Sequence, residues 1–170
     1  IIREKGTNRS QFFRGGGDKY TWVDLGSSFL PSDVQAAYLW GQLEESALIN
    51  DERLSIWNRY YNAFRRIEGL ELPLVPNGCE HNAHMFYLKL KNLDERSRFI
   101  DHLASSGILA VFHYIPLHSS PAGVKYSSFF GEDIHTSNES ERLVRLPIYY
   151  GLSQDEQRRV IQSVSGFFNE

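Results

Sequence analysis

Residues 83 to 114 constrain the fold most, because they spell strand, helix and strand within one compact stretch. Residues 83 to 90, from Ala83 to Leu90, read as a strand rich in apolar and aromatic side chains. Asp94 opens a helix that buries Phe99, Ile100 and Leu103 and closes at Ser105, Ser106 and Gly107. An apolar, partly β-branched run from Ile108 then carries a second strand to Tyr114. Strand, helix and strand at this spacing form an α/β unit.

The second strand feeds directly into residues 111 to 121, which hold His113, Tyr114 and His118. Pro116 stops regular structure, and Pro121 restricts the loop again. Two imidazoles and a phenol are thus delivered to a stiff loop, the kind of place where catalytic groups concentrate. General acid-base work by His113, Tyr114 or His118 is chemically available. The competing reading of the same residues is a packed, hydrogen-bonded pair at a strand end.

The flanks supply the rest of the domain. Residues 1 to 6 read as the last turn of a helix ending at Gly6, so the chain is expected to start inside a larger fold. Residues 7 to 18 are polar and glycine-rich, and Lys5, Arg9 and Arg14 make this region an anion-binding candidate. Residues 20 to 25 read as extended. Ser32 and Gln35 make a capping box for a helix running to about Leu48. A restart at Asn50 or Asp51 gives a long helix with two apolar faces, one of them Leu54, Trp57, Tyr61 and Phe64. Residues 70 to 75, broken by Pro73, suit an edge strand or extended connector. Residues 121 to 137 read as loop with one helical turn, and 140 to 146 as helix stopped by Pro147. A second capping box, Ser153 with Glu156, starts the last helix, which buries Val160, Ile161, Val164, Phe167 and Phe168.

Composition narrows the functions. The 170 residues carry a formal charge of −3, so no electrostatic footprint for nucleic acid is present. No apolar run approaches the ~20 residues that span a bilayer, and no signal peptide is recognised. The one cysteine, Cys79, excludes an internal disulfide and fits a reducing compartment, so a cytoplasmic protein is expected. His81 with His84, and His113 with His118, are the close histidine pairs; neither has the i, i+4 spacing of a helical zinc site and no Cys or carboxylate stands at ligand spacing beside them, so no metal is expected.

Residues 32 to 37, 82 to 87, 112 to 122 and 140 to 149 together resemble the C-terminal part of the DegT/DnrJ/EryC1/StrS sugar-nucleotide aminotransferases. The resemblance covers essentially the whole chain. It implies an α/β fold: the C-terminal portion of a fold-type-I pyridoxal 5'-phosphate (PLP) aminotransferase. Residues 1–48 would end the large domain and carry a dimer-contact loop. Residues 49–68 would be the inter-domain helix, and 69–170 a small α+β domain. Residues 3 to 13 and 19 to 28 look most like the branch that moves an amino group from glutamate to C4 of dTDP-4-keto-6-deoxyglucose for surface polysaccharide synthesis, as in enterobacterial common antigen.

The resemblance also implies a homodimer with active sites at its interface. The Schiff-base lysine of the family lies upstream of Ile1, so this chain alone is expected to be inactive. Many members carry Gly-Tyr-Asn-Tyr-Arg where this chain has residues 26 to 30, placing Ser28 at the cofactor phosphate and Leu30 where the arginine stands. Asn8 joins Ser28 as a cofactor-binding expectation. Lys5, Arg9, Trp22, His113 and His118 are expected to bind the dTDP-sugar, with Tyr114 as a proton relay near C4. A non-catalytic dimerisation or sugar-nucleotide-binding module, and a sugar aminotransferase of different specificity, stay open as alternatives.

Overall fold

The computed structural model describes residues 1–3, 5–16 and 21–169, which form two compact units, 1–46 and 47–170. The first unit is built from crossing backbone segments. Lys5 and Gly6 take left-handed backbone angles, φ 62° and 73°, and the Gly6 N–H donates to the Ile1 carbonyl at 3.0 Å. Residues 1–6 thus form turns in place of the expected helix end; Glu4 lies outside the described residues. Residues 27–29 run alongside 2–5, with Ser27 N–H on Ile2 O, Lys5 N–H on Ser27 O and Phe29 N–H on Arg3 O. Gly6 and Gly26 make the crossing feasible. A Cβ on Gly6 would stand 1.7 Å from the Asp24 carbonyl oxygen, and one on Gly26 would stand 2.1 Å from the Gly6 nitrogen.

The expected extended segment at 20–25 is reduced to a single bridge, Trp22 with Thr7; Tyr20 lies outside the described residues, as do Gly17 and Asp18 of the glycine-rich loop. Helix α1 spans Arg9–Phe13 and α2 spans Asp33–Glu44. The Ser32–Gln35 capping box forms as expected, but the helix ends about four residues early, at Glu45.

The second unit centres on a three-stranded antiparallel sheet in the order β1-β3-β2: Phe86–Lys89, Leu143–Leu146 and Val111–Phe112. Both outer strands are antiparallel to β3, so β1 and β2 run the same way, joined through α4 (Leu93–Ser105). Glu71 adds one bridge to the free side of β1 at Lys89, the extended connector expected around Pro73. Phe86, Leu88, Val144 and Leu146 point from one face of the sheet into the core. There they meet Ile56, Trp57, Tyr60 and Phe64 of α3 (Ser46–Phe64), Phe99 and Leu103 of α4, and Val160 and Val164 of α7 (Gln154–Phe168).

A further expectation is overturned. Residues 140–146 are not one helix: after the short α5 (Pro121–Tyr126), α6 covers Thr136–Arg142, and 143–146 form the central strand. The reason is packing. Val144 and Leu146 alternate into the core with Phe86 and Leu88 opposite, which a helical turn there could not do. Among the described residues, no helix is long and apolar enough to cross a membrane.

Candidate functional site

His113 and Tyr114 lie just past the end of β2, where the alternation of a strand no longer separates neighbours. Both line one cavity of about 370 Å³, with Leu117, Glu139, Ser140 and Leu143. Their rings meet edge to face at 4.8 Å. The Ser140 hydroxyl donates to the Tyr114 carbonyl at 2.7 Å, fixing the backbone while the Tyr114 side chain stays 76% exposed. His113 Nδ1 is buried with no hydrogen-bond partner among the described residues. A held backbone carrying an open phenol beside an unsatisfied imidazole nitrogen suits a ligand that brings its own polar groups.

Two residues outside the sequence reading position this cavity. Arg96 of α4 stacks its guanidinium over Phe112 at 5.1 Å and donates from Nη1 to the Ser140 carbonyl at 3.0 Å. Asp133 accepts from Ser137 and lies 2.8 Å from His118 Nε2. His118 therefore fastens the loop instead of opening into the cavity, while its ring packs on Phe129. Bonds from Ser137, then the His118 contact, hold the Asp133 carboxyl below the usual range. Lys89 similarly lowers Glu139, which lies 2.5 Å from its ammonium. The other histidine pair diverges: His81 packs on Trp57 at 4.6 Å, and His84 lines a separate cleft.

The remaining expected site residues lie in the first unit. The bridge between Thr7 and Trp22, and the bond from Asn8 N–H to Thr21 O at 3.3 Å, bring the segment of Lys5, Asn8 and Arg9 beside that of Trp22. The Lys5 N–H bonds the carbonyl of Ser27, next to Ser28. Hydroxyl, amide and two cationic side chains on adjoining segments match the donor set of a phosphate, so these residues fit that end of PLP. The described lysines do not offer its aldehyde a sheltered amine. Lys89 is paired with Glu139 and Glu71, Lys125 lies over the Tyr126 ring at 4.8 Å, and Lys5 and Lys91 are exposed.

A family model for the DegT/DnrJ/EryC1/StrS aminotransferases matches residues 1–165. The chain belongs to this family. Its relatives include the spore coat polysaccharide biosynthesis protein SpsC of Bacillus subtilis, 31% identical over 78% of this chain and 35% of that protein. Another is the dTDP-3-amino-3,6-dideoxy-alpha-D-galactopyranose transaminase of Aneurinibacillus thermoaerophilus, 30% identical over 90% of this chain and 41% of that protein. The fold matches the crystal structure of DesV from S. venezuelae with a TM-score of 0.83 at 24% identity, over 92% of this chain and 42% of that one. The chain therefore spans well under half the length of these relatives. The mixed α/β architecture is that of the corresponding part of PLP aminotransferases.

Proposed function

We propose that this chain is the C-terminal part of a PLP-dependent aminotransferase that transfers an amino group from glutamate to C4 of dTDP-4-keto-6-deoxyglucose, for surface polysaccharide synthesis. The observation that carries the reading is the cavity holding His113 and Tyr114 within a chain of sugar-aminotransferase kinship. PLP, when bound, supplies the electron sink for moving the amino group. Ser28 and Asn8 bind its phosphate, while Lys5 and Arg9 neutralise the sugar nucleotide's diphosphate beside Trp22. The Tyr114 phenol hydrogen-bonds the sugar and moves a proton at its C4 oxygen, and His113 shapes the pocket around it. His118 acts through Asp133, holding the loop that carries Tyr114. The enzyme works in the cytoplasm as a homodimer, with residues 1–48, 49–68 and 69–170 as large-domain end, inter-domain helix and small domain. The Schiff-base lysine comes from outside this chain.

The test incubates the full-length enzyme carrying this chain with PLP, glutamate and dTDP-4-keto-6-deoxyglucose, and assigns the aminated carbon by NMR. Nitrogen at C4 with matching 2-oxoglutarate release is expected; no transfer to any keto sugar would refute the reading. The isolated 170 residues are expected to give no turnover. A second reading, amination at C3, is favoured by the name of the Aneurinibacillus relative; nitrogen at C3 from a 3-keto sugar would select it.

A further inference from the structure

Five polar side chains line the Tyr114 cavity among the described residues, and two of them are already taken. Ser140 spends its hydroxyl on the Tyr114 carbonyl, at 2.7 Å. Glu139 lies between two cations, with Lys89 at one carboxylate oxygen and Arg142 at the other. That leaves the open Tyr114 phenol, the buried Nδ1 of His113 and the Thr136 hydroxyl. Thr136 opens α6, is exposed, and makes no hydrogen bond among the described residues. The other walls are Ile115, Pro116, Leu117 and Leu143, whose side chains can bond no sugar hydroxyl.

The free groups come from two elements. His113 and Tyr114 follow β2, with rings 4.8 Å apart, whereas Thr136 stands at the start of α6. Ser140, about one turn along α6, ties that helix to the Tyr114 backbone, so Thr136 is carried at a set place relative to the phenol. The chemistry of each group assigns its partner. A keto oxygen only accepts, which suits the phenol as donor. A threonine hydroxyl both donates and accepts, the complement of a neutral sugar hydroxyl. In a 4-keto-6-deoxy sugar, the ring carbons beside C4 differ: C3 carries a hydroxyl, and C5 carries the methyl. We propose that Thr136 is a specificity-determining residue, its hydroxyl bound to the C3 hydroxyl of the sugar beside the C4 oxygen that Tyr114 takes. Which hydroxyl it binds rests on the C4-aminotransferase reading. A site built to bond a hydroxyl rejects the analogue that lacks it, because its own polar group is then left unpaired. The apolar walls suit the methyl on the other side of C4.

The experiment measures binding of dTDP-6-deoxygalactose and dTDP-3,6-dideoxygalactose, which differ only at C3, to the full-length enzyme by calorimetry. Neither carries a keto group, so no turnover intervenes. Loss of the C3 hydroxyl is expected to weaken binding to the unaltered enzyme about tenfold. Thr136→Val keeps the shape and removes the hydroxyl. It should weaken the 6-deoxy sugar by about the same factor and leave the 3,6-dideoxy sugar unchanged, so that the two bind alike. Thr136→Ser should restore the difference. Ser128→Ala, at an exposed hydroxyl outside the cavity, should leave it intact. Unaltered Val144 and Leu146 methyl signals establish that the variants are folded. Equal binding of the two sugars by the unaltered enzyme, or a difference that survives in folded Thr136→Val, overturns the assignment. Failure of C4 transfer by an enzyme that shows the binding difference would sink the aminotransferase reading and leave the sugar contact standing. C4 transfer without the difference would do the reverse.

Discussion

Tyr60 shows how one polar atom fixes the register between distant segments. Its ring is fully buried against Phe64 and Phe86, at 5.8 and 5.2 Å, and its hydroxyl donates to the Pro147 carbonyl at 3.0 Å. Burial pushes its pKa far above the usual range, so it remains a donor well into alkali. Tyr60→Phe keeps the packing but orphans a carbonyl, and should lower unfolding free energy by about 1–2 kcal/mol in a urea titration. No change would mean that the bond contributes nothing. Gly6 makes the opposite demand, for absence of a side chain. With φ at 73° and the Asp24 oxygen 1.7 Å from any Cβ, Gly6→Ala must force the two segments apart. The expected readout is loss of amide protection at Lys5, Val23 and Ser27, with protection at Leu88 and Val144 retained. The aromatic stripe of α3 was readable from spacing alone. The bond from Tyr60 to Pro147, 87 positions away, was not, because long-range partners leave no local signal.

Among the elements, those with local chemistry were legible. Ser32 with Gln35 and Ser153 with Glu156 form the reciprocal bonds that their spacing implies, and Phe99 and Leu103 turn inward as α4 requires. The central strand was hidden. Residues 140–146 mix charged and apolar side chains in an order that also fits a helix, and only Phe86 and Leu88 across the sheet decide for β3. Likewise, His118 looked like a pocket residue until Asp133, fifteen positions on, claimed it. Leu88→Ala, which removes the side chain opposite Val144, should cost about 3 kcal/mol. The ion pairs that fasten α6 give a pH dependence. A carboxyl with a lowered pKa in the folded state adds stability that is present above its unfolded value and is lost as pH falls through the folded one. For Glu139 the ordinary value is 4.5, so its contribution should hold at neutral pH and fade as pH falls below that value. Lys89→Met should flatten that acid limb; an identical pH profile would show that the pair is idle.

For the whole molecule, the two units differ in how much they bury. The second holds the core of Ile56, Phe86, Phe99, Val144 and Val164, whereas α2 in the first buries no residue and leaves Tyr38 and Trp40 at 75% and 66% exposure. Hydrogen exchange should therefore open amides of residues 5–29 before those of Ile56 to Phe64. Equal protection would contradict this division. The proposed phosphate donors Lys5, Asn8, Arg9 and Ser28 lie in one unit, and the cavity residues His113 and Tyr114 in the other. The sequence motif around Tyr114 marked the cavity, but its supports, Arg96 and Ser140, emerged only from the fold. The claim at the centre is that the Tyr114 cavity is where the sugar is aminated. Its most direct test is Tyr114→Phe in the full-length enzyme, with kcat and KM for the keto sugar measured at saturating glutamate. A fall in kcat of about 10²-fold or more is predicted for loss of the proton-relaying phenol. Unchanged turnover and unchanged sugar affinity would contradict it.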